Sequence, residues 1–536
     1  MTIDHSKPAQ QSVRPLTTSR LPLDAWLRKD VLILLAIFAV FYWTKLAGFS
    51  LSIDDEFAAL STNADVWVLD GRWCEYLFER FIVSQPIVPF FPVFLFGLCM
   101  SISYTILLAA FGIKRMSFVH YLVFPLYVAF PTWTFLASFT ANISSAGVAQ
   151  LAVVGALYCY RDACIDPASG SSPVNRSSTV KRCAFAILLL GCAIGLYQSF
   201  LLAFVVLGLG MQMSLFNGQM LSTRISVRLF FWLAAITVGG FGLYAILDAA
   251  FRHGLHLEDT TYLNAFMDWH LLLRSPVAVI RHTTEFMGEI YLGHPLIYGI
   301  AAFAFPVILA TGGTAIVLSG NASRRHRLVL LITSLSILAI PFAQNLLVGG
   351  YMPIRTMVAI PCIFWLFALY GLTASSRALA IVTLAAVLLG LLQIIYSTSL
   401  LGAAQTFARI HDAQLSSALY QRITQVHENF DPSKTYLVDF YGAEPFGTTY
   451  PRPYSSTSGF SFFEWDGGNE GRMLAYMRLL GYTDLQPANA AQRQQDLAAF
   501  KDMPTWPAKG SVRVHGDTTL VKLGPSPGWP FNTQGK

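Results

Sequence analysis

Run after run of apolar residues, each about as long as a bilayer is thick and nearly free of Asp, Glu, Lys and Arg, is the feature that most restricts what this chain can fold into. In lipid a segment must satisfy its own backbone, which leaves the helix as the spanning unit for runs of this kind. A soluble core of 536 residues explains one or two such runs, but not a series of them. The runs lie near residues 31–50, 86–112, 117–138, 143–160, 183–197, 199–217, 227–250, 295–319, 328–348, 354–373 and 378–400. They predict a mainly α, polytopic membrane protein with about eleven transmembrane helices. Cys183–Gly218 is the ambiguous stretch, too long for one span and short for two, and an error there inverts everything downstream. A composition of 54% hydrophobic and 12% charged residues agrees with that class.

The net charge of +6 is no sign of nucleic acid, because the Lys and Arg residues sit between apolar runs as topology determinants do. Arg14, Arg20, Arg28 and Lys29 precede the first run, which places residues 1–30 in the cytoplasm. Lys114-Arg115, Arg161, Lys181-Arg182, Arg224, Arg228, Arg324-Arg325, Arg327 and Arg377 then fall in inner loops. No small-residue cleavage site precedes the first run, so it stays as an anchor. The seven cysteines show neither a disulfide framework nor zinc-ligand spacing. An odd span count puts the tail outside, and residues 402–536, richer in charge, Pro and Gly, predict a periplasmic mixed α/β domain. Helices are expected over Phe407–Glu428 and Arg472–Leu480, and strands over Thr435–Phe440, Val512–Val514 and Thr519–Leu523, the last two joined at His515-Gly516-Asp517.

The membrane domain, residues 31–401, holds two outer loops of interest, 50–86 and 252–294. Asp54, Asp55 and Glu56 would each cost about 2.5–3.5 kcal/mol at the bilayer centre, so they belong at the outer interface. Neighbouring helical positions point in different directions, which gives Asp54 and Asp55 separate roles, one as base and one as an orienting group. The bland reading is that the three acids only mark the end of the first span. Arg72 after Gly71 offers phosphate a planar donor fork, against an ordinary salt bridge to Glu75 or Glu79. Apolar residues from Phe57 to Phe81, interleaved with polar ones, predict helices lying flat on the membrane. Gln198, beside Tyr197, is suited to a sugar hydroxyl or to a helix–helix contact. Arg355 meets a lipid phosphate or snorkels to the interface. Asp268-Trp269-His270, Arg281-His282 and Glu285-Phe286 suit carbohydrate, or form a solvated amphipathic segment.

Taken in order, Ser52-Ile53-Asp54-Asp55, Gly71-Arg72-Trp73, Tyr197-Gln198-Ser199-Phe200 and Pro353-Ile354-Arg355-Thr356 resemble the GtrII-type glucosyltransferases of bacterial O-antigen, over roughly residues 30 to 400. The resemblance implies a GT-C type membrane glycosyltransferase whose first outer loop bears the catalytic acid. It implies a polyprenyl-phosphate sugar donor, typically undecaprenyl-phosphate glucose, and a lipid-linked or lipopolysaccharide acceptor on the periplasmic face of the inner membrane. A donor synthase and a flippase are the implied partners.

On this reading Asp54 or Asp55 takes the acceptor proton, while Arg72 and Arg355 stabilise the departing polyprenyl phosphate. Glu56, Trp73, Tyr197, Gln198 and Trp269 are expected at the sugar or acceptor. No cofactor is fixed by these residues. A divalent cation on Asp54 and Asp55 stands as the alternative to neutralisation by the arginines. The rival classes are a transporter, disfavoured because charge clusters in outer loops and no paired broken helices are seen, and a polysaccharide ligase or polymerase. A lipid A or protein sugar transferase is the nearest relative in chemistry.

Overall fold

The computed structural model describes residues 23–61, 63–83, 87–165, 176–217, 223–257, 268–318, 323–350, 352–453 and 457–529. Arg14, Arg20, Pro86, most of the polar loop Ser169–Ser178, the middle of loop 252–294 and Tyr351 lie outside the described residues, as do the side chains of Arg28, Arg224 and Trp269. The apolar runs become α1 (Leu23–Phe41), α2 (Phe91–Ala110), α3 (Phe118–Val128), α4 (Thr140–Ile165), α5 (Arg176–Leu196), α6 (Phe200–Asn217), α7 (Thr223–Gly254), α8 (Ala304–Leu318), α9 (Arg324–Ala339), α10 (Ile360–Leu372) and α11 (Arg377–Val426). Among the described residues six helices are long and apolar enough to cross a membrane: α2, α4, α5, α7, α11, and α9 extended to Leu347. Four others, α3, α6, α8 and α10, are apolar but shorter.

Local chemistry explains where helices stop short of the runs. The run at 117–138 breaks after Val128, three residues past the Pro125 that the helix accommodates, and Pro131 opens a new helix, Pro131–Leu136. The ambiguous stretch at 183–218 is two helices, parted by the turn Tyr197-Gln198-Ser199. α5 and α6 therefore lead to opposite ends of the bundle, and the turn between them faces the loop at 51–83.

Close packing uses small residues where helices meet. A Cβ on Gly312 of α8 would lie 2.3 Å from the carbonyl oxygen of Phe367 on α10, so only glycine permits this approach. The centre is aromatic: Phe130, Phe305 and Phe364 pack together, and the Nε1 of buried Trp365 donates to Tyr104 Oη at 3.1 Å. Several charged groups gather where helices end. At one end Tyr121 donates to Asp30 at 2.6 Å, Arg182 to the Asp162 carbonyl at 3.1 Å, and Arg161 to the Ala109 carbonyl.

The tail follows without a hinge, because α11 continues unbroken past Leu401 to Val426 over 50 residues. Beyond it come β1 (Tyr436–Tyr441), α12 (Glu470–Leu479), β2 (Leu485–Pro487), α13 (Ala490–Asp496), β3 (Val512–His515) and β4 (Thr518–Lys522). The sheet order is β2-β1-β4-β3, with β1 parallel to both neighbours and β3–β4 an antiparallel hairpin. Asp412, fully buried on α11, ties this part down. It accepts from Phe462 N at 2.9 Å and from Ser461 Oγ, and its Oδ2 lies 3.2 Å from Arg409. Asp412→Ala leaves the buried Arg409 guanidinium without its counter-ion and is expected to destabilise the protein by about 3–5 kcal/mol, read as a lower unfolding temperature in detergent.

Candidate active site

The turn after the first apolar run sets its two aspartates apart. Asp54 takes a left-handed conformation (φ +82°) that few residues other than Gly, Asn and Asp adopt, and its side chain stays half exposed. Asp55 turns inward and is 1% exposed. Its Oδ2 accepts from Ser52 N at 3.0 Å and Thr140 N at 3.2 Å, and its Oδ1 from Ala141 N at 3.3 Å. Thr140 and Ala141 open α4, so Asp55 satisfies amide donors that the helix cannot. Burial pushes the Asp55 carboxyl up to about 6, against the pull of these donors and of Lys45. Glu56 is fully buried behind the turn, where burial outweighs Arg472 and lifts its carboxyl to about 7.

The second strand of the site is the Gly71-Arg72 turn. Gly71 sits at φ +70°, and Arg72 N donates to Trp67 O at 2.7 Å. Gln198 reaches across from the α5–α6 break and donates to the carbonyls of Asp70 at 2.8 Å and Gly71 at 3.1 Å. These bonds seat the Arg72 guanidinium over the rings of Tyr197 (4.8 Å) and Trp67 (5.5 Å). The charge of Arg72 acts on buried Glu75, while Glu79 accepts from Trp67 Nε1 at 2.5 Å. Arg355, in the turn Ile354–Thr356, lies over Phe139 at 4.9 Å. Gln344 joins the two motifs, accepting from Ser199 Oγ at 3.0 Å and donating to Thr356 Oγ1 at 3.0 Å.

Asp54, Asp55, Arg72, Tyr197 and Arg355, scattered over some 300 positions of sequence, line one cavity of about 390 Å³. Asp70 and Asn142 also line it, and burial raises the Asp70 carboxyl against the charge of Arg72. A larger cleft of about 1140 Å³ between α6, α7, α9 and helix Pro276–Tyr291 has no charged lining residue, so of these two cavities the smaller is the one that offers charged groups. Both oxygens of Asp55 face amide donors, a setting that holds a carboxylate rather than frees it for a cation. Among the described residues no group of three or more His, Cys, Asp or Glu is gathered for a metal.

Not every expected residue reaches the cavity. Trp73 is buried, stacked on Phe251 at 5.6 Å and pressed against Gly195, where a Cβ would lie 2.6 Å from its ring. Gln198 spends its donors on the loop backbone, and Glu56 lies behind the cavity wall with Arg472. Trp269 begins the helix Trp269–Arg274, and its side chain lies outside the described residues. Sequence reasoning missed Asp70, Asn142 and Gln344. Asp70 adjoins Gly71 in a loop already singled out, whereas Gln344 was one amide inside an apolar run.

An apolar helical bundle with a cavity of carboxylates, guanidiniums and aromatic faces at one end is the build of a membrane glycosyltransferase. Comparison with protein families agrees. The chain belongs to the GtrII glucosyl transferase family, whose model, Glucosyl transferase GtrII, matches residues 44–372. No curated protein and no solved structure matches the chain.

Proposed function

We propose that this cavity transfers a sugar, glucose by its family, from a polyprenyl-phosphate donor to a bacterial surface polysaccharide such as O-antigen. The observation that carries the reading is one cavity holding an open carboxylate, Asp54, together with two guanidiniums, Arg72 and Arg355. The acceptor hydroxyl oxygen attacks the anomeric carbon and gives its proton to Asp54. The bond from that carbon to the phosphate oxygen breaks, and the electron pair leaves with polyprenyl phosphate, where Arg72 and Arg355 meet its charge. A single displacement inverts the sugar's configuration. Asp55 orients the turn and does not touch the reacting atoms. A volume of about 390 Å³ suits one hexosyl phosphate rather than a long glycan, which favours this reading over a polysaccharide ligase.

The proposed setting is the bacterial inner membrane, crossed eleven times in a GT-C type arrangement, with the N-terminus cytoplasmic. Arg161 and Arg182 gather at the end of the bundle opposite Asp54, which supports that sidedness. The tail touches the acid loop, so the two share a side, the periplasmic one. The large apolar cleft runs to Ala343, next to the Gln344 that binds Thr356, and so offers an isoprenoid chain a place near Arg355. A synthase making the donor and a flippase turning it over complete the pathway.

Purified protein in liposomes, given labelled polyprenyl-phosphate glucose and O-antigen polysaccharide, is expected to yield labelled polysaccharide of inverted anomeric configuration. No transfer from any polyprenyl-phosphate sugar would falsify the proposal.

A further inference from the structure

One side chain from outside the family-matched segment grips the acid loop. Arg472, in the first turn of α12, directs Nη2 to Asp54 Oδ1 at 2.7 Å, Nη1 to Glu56 Oε1 at 2.5 Å and Nε to Asp466 Oδ2 at 2.9 Å. Its guanidinium lies over the Phe57 ring at 5.2 Å, and its side chain is only 11% exposed. Three carboxylates, one of them fully buried, thus converge on a single cation.

The backbone around it supports a positioning role. Asp54 and Asp466 both hold left-handed conformations, at φ +82° and +60°. A non-glycine residue persists there where its surroundings hold it, and the fork of Arg472 bonds both side chains. The fork is not what docks the tail. That anchoring comes from Asp412 with Ser461 and Phe462, and from Ser138 with Ser458 at 2.8 Å. The guanidinium is therefore free to serve the loop.

We infer that Arg472 is a positioning residue for transfer: the C-terminal part supplies the cation that aims the Asp54 carboxylate into the cavity. This rests on Asp54 being the base. The charged groups facing the Asp54–Arg472 pair are Glu56 and Asp70 from the loop and Asp466 from the tail, with Arg409 of α11 acting on Glu56. Arg472 is the cation bonded to Asp54.

The test compares full-length wild type with Arg472→Gln and Arg472→Lys in liposomes, measuring kcat and donor KM for transfer and amide exchange over Asp55–Ser61. Arg472→Gln is expected to speed loop exchange and to lower kcat about 10- to 100-fold with the donor KM little changed. Lysine keeps the charge and one bond to the carboxylate, and it restores part of the kcat. Unchanged loop exchange overturns the inference. So does faster exchange with kcat as in wild type, or a kcat loss equal in both variants. If wild type transfers nothing while loop exchange still responds to Arg472→Gln, the grip on the loop stands and the proposed function fails.

Discussion

Asp54→Asn is expected to lower sugar transfer by about 10²- to 10⁴-fold while the unfolding temperature barely moves. The carboxylate is half exposed, lines the cavity and accepts one bond, from Arg472, that an amide oxygen can also accept. Asparagine tolerates the left-handed backbone at this position nearly as well as aspartate. What it loses is the capacity to take a proton. Asp55→Asn makes the contrast, since both Asp55 oxygens accept from amide N–H groups and an NH₂ in place of one would face a donor. That variant is expected to lose stability along with activity. Full transfer by a folded Asp54→Asn protein removes Asp54 as the base, and loss confined to a well-folded Asp55→Asn protein moves the role to Asp55.

Arg72→Met is expected to cost about 10²- to 10³-fold in kcat. The charge on the phosphate grows as the sugar departs, so a guanidinium facing it stabilises the transition state more than the bound donor. Arg72 is seated over Tyr197 and Trp67 on a turn held by Gln198, so its place does not depend on the donor. Arg72→Lys keeps a cation but loses the planar fork and the aromatic stacking, and it should recover only part of the rate. Kinetics with varied donor separate the outcomes. A rise in KM at constant kcat would show that Arg72 binds donor and transition state equally.

Much of the arrangement is legible in the sequence for physical reasons. Charge is costly in lipid, so a loop that concentrates Asp54, Asp55, Glu56 and Arg72 between apolar runs stands out, and the same cost marks Arg355. The strands at Tyr436–Tyr441 and the Val512–His515 hairpin were visible from β-branched residues and a Gly-Asp turn. Direction was not legible. Gln198 reads equally well as a sugar ligand or a packing amide, and only the position of the Asp70 and Gly71 carbonyls decides that its donors go to backbone. Trp73 likewise looked like a sugar platform, yet the glycine at 195 opens a slot that buries it. Arg472 had no local signal, because its partners Asp54 and Glu56 lie more than 400 positions away.

The 50-residue helix α11 carries one more implication. At 1.5 Å per residue it is about 75 Å long, well over twice the roughly 30 Å of a hydrocarbon core. A flexible linker would let the sheet swivel above the bundle; a continuous helix indexes it like a key on a shaft. Each residue of helix corresponds to about 100° of rotation, so the compass bearing of the tail is written into the residue count between the membrane and the sheet. Evolution can alter the sheet's surface freely, but it can change the length of that shaft only in steps that swing the tail away from the acid loop it holds.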